Sequence, residues 1–196
     1  MDNLYIIEEA YQLGMAQNRY EILSCLDFLK TKKIKNFMEI GTNEGGTFIC
    51  WSRITGTEGI KISLDWAHGP WGTTNFDVDK RDLRLKEMGD EVYIINGDSH
   101  SLKTHRQIKN ILGDKKLDFL FIDGDHSENG VKLDYFMYKE FVKNGGLIGF
   151  HDIKESEFHA KAACFVSNFW NDMDVNKYWF MSNNHWGGIG IIENQN

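Results

Sequence analysis

The 196-residue chain has little proline: Pro70 is its only one, and there is no low-complexity tract or internal repeat. A disordered linker is therefore not expected. Cysteine is also scarce. Cys25, Cys50 and Cys164 lie far apart and form no CxxC pair, so they read as buried thiols in a reducing compartment, neither a disulfide framework nor a zinc site. No run approaches the roughly 18 apolar residues of a membrane span. The opening "MDNLYIIEEAYQLG" lacks a basic region followed by an apolar core, so no signal peptide is expected. Positive charge is in deficit, with 22 Lys and Arg against 29 Asp and Glu, a net charge of −7. Non-specific attraction to nucleic acid or an anionic membrane is thereby disfavoured. The expectation is a cytoplasmic protein whose partner is a small molecule or glycan, with homo-oligomerisation left open.

What the chain does have is the composition of one α/β domain, 41% hydrophobic and 26% charged. Helix is expected over 3–32, broken near Gly14, with Ile22, Leu23, Leu26 and Leu29 at helical spacing. Residues 1–33 then form a helical segment packing on a domain spanning 34–196. Short apolar runs at 36–40, 60–66, 91–97, 117–123 and 146–152 alternate with helical stretches at 47–54, 77–88, 100–112 and 129–143. A further helix over 158–170 precedes a closing hairpin of 177–182 and 189–193. Strands alternating with helices imply parallel βαβ units, and continuous runs such as "FLFI" suit strands buried on both faces.

Ligands of an open parallel sheet bind beyond the carboxyl ends of its strands. Each of the first five strands delivers a polar group there: Glu39, Asp65, Asp98, Asp123 with Asp125 and His126, and His151 with Asp152. "EIGTNEGGT" (39–47) runs from strand to helix. Gly41 permits a tight turn, Gly45 and Gly46 permit close backbone approach, and the helix start offers free N–H groups. Asp65 stands where a ribose-binding carboxylate is expected, or where a strand end is simply solvated. Asp98 either receives an adenine amino group or caps the next helix. Asp123 and Asp152, on neighbouring strands, suit a divalent cation, with His151 able to complete the shell; Asp125 or Ser127 equally suits a helix cap. The loop "WAHGPWGTTNF" (66–76) suits a lid or acceptor wall, or equally packing against the domain rim. Trp170, Trp179 and Trp186 read as core or interface residues.

Taken together, "EIGTNEGGT", "SLDW", "NGDSHS", "FIDGDHSENGVKLDYFMYKEFVKNGGLIGFHDI" and "GGIGII" resemble class I S-adenosylmethionine-dependent methyltransferases. The likeness is to the branch of cephalosporin hydroxylase-like and macrocin O-methyltransferase-like proteins, and it covers about residues 34–193. It implies a Rossmann-like, doubly wound, mostly parallel sheet of seven strands with the last antiparallel and helices on both faces. It further implies that Glu39, Gly41, Thr42 and Gly45 line the methionine and ribose part of S-adenosylmethionine, that Asp65 holds the ribose, and that Asp98 and Ser99 lie near the adenine. Asp123 would join cofactor to metal, Asp123, His151 and Asp152 would hold magnesium or manganese, and His126 would be the catalytic base. The chain departs from those relatives at His151, where many have an acidic residue, and at Glu128, where many have an aromatic one.

The implied reaction is O-methylation of a sugar, glycan or small natural product. A nicotinamide-dependent oxidoreductase would use the same glycine loop and ribose carboxylate but gives no reason for the acid and imidazole cluster. The same rim would also suit a non-catalytic cofactor-binding module or a metal-dependent hydrolase.

Overall fold

In the computed structural model, residues 2–67, 76–183 and 186–195 are described. Two N-terminal helices come first. α1 (Asn3–Tyr11) starts where the Asp2 side chain accepts from the Leu4 N–H, and α2 (Arg19–Lys30) where Asn18 does the same for Tyr20. Each thus satisfies one of the orphan donors at a helix start. In α2 the buried Ile22, Cys25, Leu26 and Leu29 follow the helical repeat.

The remaining elements alternate as the sequence predicts: β1 (Phe37–Ile40), α3 (Gly46–Thr55), β2 (Ile60–Asp65), α4 (Val78–Lys86), β3 (Glu91–Asn96), α5 (Leu102–Leu112), β4 (Leu117–Ile122), α6 (Glu128–Tyr138) and β5 (Val142–His151). Two short helices, α7 (Glu157–Lys161) and α8 (Val166–Asp172), then lead to β6 (Lys177–Phe180) and β7 (Ile189–Glu193). The seven strands form one sheet in the order β3-β2-β1-β4-β5-β7-β6. β1 to β5 pair in parallel, and β7 runs antiparallel to both β5 and β6. This is the doubly wound, Rossmann-like sheet expected from the sequence.

Strand periodicity divides the core in two. Met38, Ile40, Leu120, Ile122, Ile148 and Phe150 face α5, α6 and α8. Phe37, Phe119, Phe121 and Leu147 face α1, α2 and α3. The N-terminal helices are thus part of one of the two cores. Trp170 lies in the first core, as expected, whereas Trp179 is exposed.

Three boundaries differ from the sequence expectation. α6 stops at Tyr138, and β5 begins at Val142, four residues early, because Val142 already pairs with Leu117 ahead of an irregularity in β5 that ends where Leu147 pairs with Phe119. The glycines at 145 and 146 therefore sit inside an irregular strand and do not precede it. The expected helix over 158–170 is broken into α7 and α8, with Ala163 in the left-handed region at φ 55°. The first helix breaks more widely than at Gly14 alone, and residues 12–18 between α1 and α2 are free to reach the sheet rim.

Candidate active site

A cavity of about 520 Å³ opens at the carboxyl ends of β1 to β5, within the range of small-molecule sites. The sequence-predicted Gly41, Thr42, Gly45, Asp65, Asp98, Ser99, Asp123, His126, His151 and Asp152 all line it. Glu39 does not. Period-two alternation turns its side chain onto the α1–α3 face, where it is fully buried and accepts from Trp51 Nε1 at 3.0 Å. Burial pushes its carboxyl up to about 8, against hydrogen bonds from Thr47, Trp51 and Thr42.

The glycine loop forms one end of the cavity. Gly41 has φ +86°, and a Cβ there would lie 1.9 Å from the Asp123 carbonyl oxygen. The tips of β1 and β4 therefore approach as closely as they do only because residue 41 is glycine. Gly45, also at positive φ, precedes α3, and no side chain caps that helix. Its first N–H groups remain available to an anionic group. Asp65 accepts from the Asn43 N–H and lies 3.8 Å from Arg81 Nη1. Burial pushes its carboxyl up, while the Asn43 N–H and the Arg81 charge oppose that. Beyond β3, Asp98 accepts from the His100 N–H at 2.9 Å, so it shapes its own turn, and the α5 cap is Ser101. His100 Nε2 lies 3.2 Å from a carboxylate oxygen of the fully buried Asp134 of α6, and that pairing, outweighing burial, raises its pKa to about 9.

At the other end the acids and imidazoles converge. His151 Nδ1 lies 3.3 Å from Asp123 Oδ1 and 3.2 Å from Asp152 Oδ1. His126 bridges the same carboxylates, Nε2 to Asp123 at 3.4 Å and Nδ1 to Asp152 at 3.1 Å. Asp152 ends the β5 run in the left-handed region, at φ 59°. A non-glycine residue there is strained, and here that backbone places its carboxylate among the imidazoles. Ser127 caps α6 through the Gly130 N–H, and Asp125 accepts from the Ser127 N–H, so Asp125 and Ser127 build the turn that presents His126.

Charge complementarity governs this cluster. Burial opposes ionisation of Asp123 and Asp152, but the neighbouring His151 and His126 hold both carboxyls below their usual range. Burial likewise opposes a cationic His126, yet hydrogen bonds to Asp123 and Cys164 and the two carboxylate charges raise it to about 11. His151 is raised well above its ordinary value by Asp123 and Asp152 in spite of complete burial. The pairs that hold these imidazolium protons also have the separations of cis ligands on one ion. An octahedral shell with ligands at about 2.1 Å has edges of about 3.0 Å, close to the 3.2 and 3.3 Å seen around His151. The donor atoms of Asp123, His151 and Asp152 all fall within 4.8 Å of one another. The residues present therefore fit a divalent cation.

Three participants were not read from the sequence. Gln17, from the loop between α1 and α2, donates Nε2–H to Asp123 Oδ2 at 2.9 Å. His159 on α7 lies 3.2 Å from Asp152 Oδ1 and is oriented by the Lys154 carbonyl at 2.6 Å. Trp186, expected in core or interface, lines the cavity with its ring edge-on to His151. Trp66, Phe76 and Phe158 complete an aromatic wall. Most of the expected lid, residues 68–75, lies outside the described residues.

Residues 38–153, more than half the chain, match the family described as Methyltransferase domain. The chain belongs to this methyltransferase family. The membership bears out the resemblance to class I methyltransferases and selects methyl transfer over nicotinamide-dependent oxidoreduction. A curated relative, the uncharacterized protein R132 of Acanthamoeba polyphaga mimivirus, is 34% identical over 62 residues, 32% of this chain and 28% of that protein. The match thus spans little more than a quarter of the relative. Among solved structures, an O-methyltransferase from Bacillus cereus in complex with SAH is 17% identical with a TM-score of 0.66, over 96% of this chain and 90% of that one. The methyltransferase MycE from mycinamycin biosynthesis, in complex with Mg and SAH, is 14% identical with a TM-score of 0.61, over all of this chain and 55% of its own. These two likenesses establish the shared fold. No described helix is long and apolar enough to cross a membrane.

Proposed function

We propose that the chain transfers the methyl group of S-adenosylmethionine to a hydroxyl of a sugar, glycan or small natural product, assisted by magnesium or manganese. The observation that carries this is the convergence of Asp123, His126, His151 and Asp152, at hydrogen-bonding separations, in the cavity that the glycine loop closes at its other end. The cofactor's amino-acid end lies on Gly41 to Gly46 and the α3 N-terminus, its ribose at Asp65, and its adenine beside Asp98 and Ser99. The sulfonium methyl is already activated, so most of the rate comes from alignment and exclusion of water. The walls formed by Trp66, Phe76, Phe158 and Trp186 supply that exclusion.

A divalent ion held by Asp123, His151 and Asp152 would lower the pKa of the acceptor hydroxyl and fix its orientation. Gln17 holds the outer oxygen of Asp123, leaving Oδ1 directed at the two imidazoles. His126 is 44% exposed in its side chain, the most open member of the cluster, and is placed to accept the acceptor proton as attack proceeds. It can do so only in its neutral form. The carboxylates that hold its proton must therefore be engaged by another positive charge first.

The test is calorimetric titration with S-adenosylhomocysteine, with and without magnesium or manganese. Binding is expected, lost in Asp65→Ala, while Asp152→Asn weakens ion binding before cofactor binding. Binding of NADH in preference to S-adenosylhomocysteine would overturn the reading.

A further inference from the structure

Cys164 takes no part in the reaction just described, yet it is placed against it. Its backbone N–H donates to the His159 carbonyl at 2.9 Å, and the next residue, Phe165, donates its N–H to the His126 carbonyl at 2.8 Å. The break between α7 and α8 is thereby tied to the loop bearing His126. The Cys164 thiol is buried beside the His126 side chain. The ligand atoms of His126, Asp152 and Cys164 all lie within 4.8 Å of one another.

We propose that His126, Asp152 and Cys164 form a second, softer metal site, selective for a thiophilic ion such as zinc, that overlaps the methyl-transfer site at Asp152 and His126. This goes beyond the proposed function and rests on it only for the consequence. A zinc ion bound here occupies the imidazole that would serve as base.

The chemistry of the donor set carries the selectivity. Asp152 divides its oxygens: Oδ1 faces His151, and Oδ2 faces His126 Nδ1 at 3.1 Å. Two tetrahedral zinc ligands at about 2.0–2.1 Å stand about 3.3 Å apart, so the His126–Asp152 separation needs a change of only a few tenths of an ångström. A nitrogen, oxygen and thiolate set favours zinc or cobalt strongly over magnesium, whose preference is for oxygen alone. Binding releases both the thiol proton and the His126 Nδ1 proton now shared with Asp152, and leaves a fourth position open. The partly exposed His126 side chain supplies the route from the cavity. His126, Asp152 and Cys164 are 26 and 12 residues apart along the chain, so no spacing motif reveals the site.

The test uses cobalt and zinc on the full chain, stripped of metal beforehand. Cobalt is expected to give a thiolate-to-metal charge-transfer band at one equivalent, absent in Cys164→Ser and retained in Asp123→Asn. Losing an outer-shell partner typically weakens metal binding about 10- to 100-fold. Loss of the thiolate itself should therefore lower zinc affinity at least that much in both Cys164→Ser and Cys164→Ala. Absence of the cobalt band in the wild type, or unchanged zinc affinity in folded Cys164 variants, overturns the proposal. Binding of S-adenosylhomocysteine by Cys164→Ser, expected to equal that of the wild type, reports on the proposed function separately.

Discussion

Replacing Glu39 with glutamine isolates the charge of one fully buried carboxyl without changing its shape. In the fold, burial pushes that carboxyl from 4.5 to about 8. A raised acid pKa means that the folded state holds its proton more tightly than the unfolded state does. Stability must therefore fall as pH rises between these two values and level off above the upper one. Each unit corresponds to about 1.4 kcal/mol. The cost is thus about 3 kcal/mol by pH 7 and about 5 kcal/mol above pH 8. Glutamine still offers an oxygen to Trp51 Nε1, so the hydrogen bond at 3.0 Å survives, and its amide must share the site of the Thr47 and Thr42 hydroxyls. Denaturant unfolding of wild type and Glu39→Gln between pH 4 and 9 should show the variant gaining on the wild type through that window. At pH 4 the wild type should be equal or slightly better. A stability difference independent of pH would refute the reasoning, because it would mean that Glu39 ionises alike in the folded and unfolded chain.

Three further outcomes are expected. His126→Ala should reduce single-turnover methyl transfer by roughly 10²–10⁴-fold, the usual contribution of a general base, with S-adenosylhomocysteine affinity kept within about threefold; loss of that affinity in a folded variant would remove His126 from the proposed role. Gly41→Ala puts a Cβ against the Asp123 carbonyl at a backbone φ of +86°. It should cost at least about 1–2 kcal/mol in thermal unfolding and abolish cofactor binding in calorimetry, so an unchanged melting temperature would contradict the close approach of β1 and β4. His100, raised from 6.5 to about 9 by Asp134, contributes stability that is fully present below pH 6.5 and is lost as pH rises through about 9. The stability gap between wild type and Asp134→Asn should accordingly shrink over that range, and a constant gap would show that the pair is not charged in the fold.

The parts of this molecule that could be read from sequence are those governed by short-range rules. β1 and β4 are buried along nearly their whole length, so each leaves a mostly apolar run, interrupted only by Glu39 and Asp118. The strand-end rule then gathers Asp65, Asp98, Asp123 and Asp152 on one rim without any knowledge of packing. Glu39 obeys an equally local rule: alternation along β1 puts its side chain with Phe37 on the α1–α3 face, whereas Gly41 lies past the strand end, where the chain turns at positive φ onto the cavity. What sequence could not show is set by the connections. Gln17 meets Asp123 across 106 residues, and only because the chain between α1 and α2 leaves the helix for longer than one glycine would suggest. His159 and Cys164 reach the cluster because a helix breaks at Ala163, a non-glycine residue in the left-handed region, and alanine carries no break signal. Asp152 adopts the same rare backbone. Each of these positions strains the chain locally and brings a polar side chain to the acid and imidazole cluster. Strain at a binding site persists when the surroundings over-determine it. Here the surroundings are the Phe165 bond to His126 and the pairing of β5 with β4 and β7. The site chemistry is thus specified twice, by residue type along the strand ends and by long-range contacts that force the loops into place.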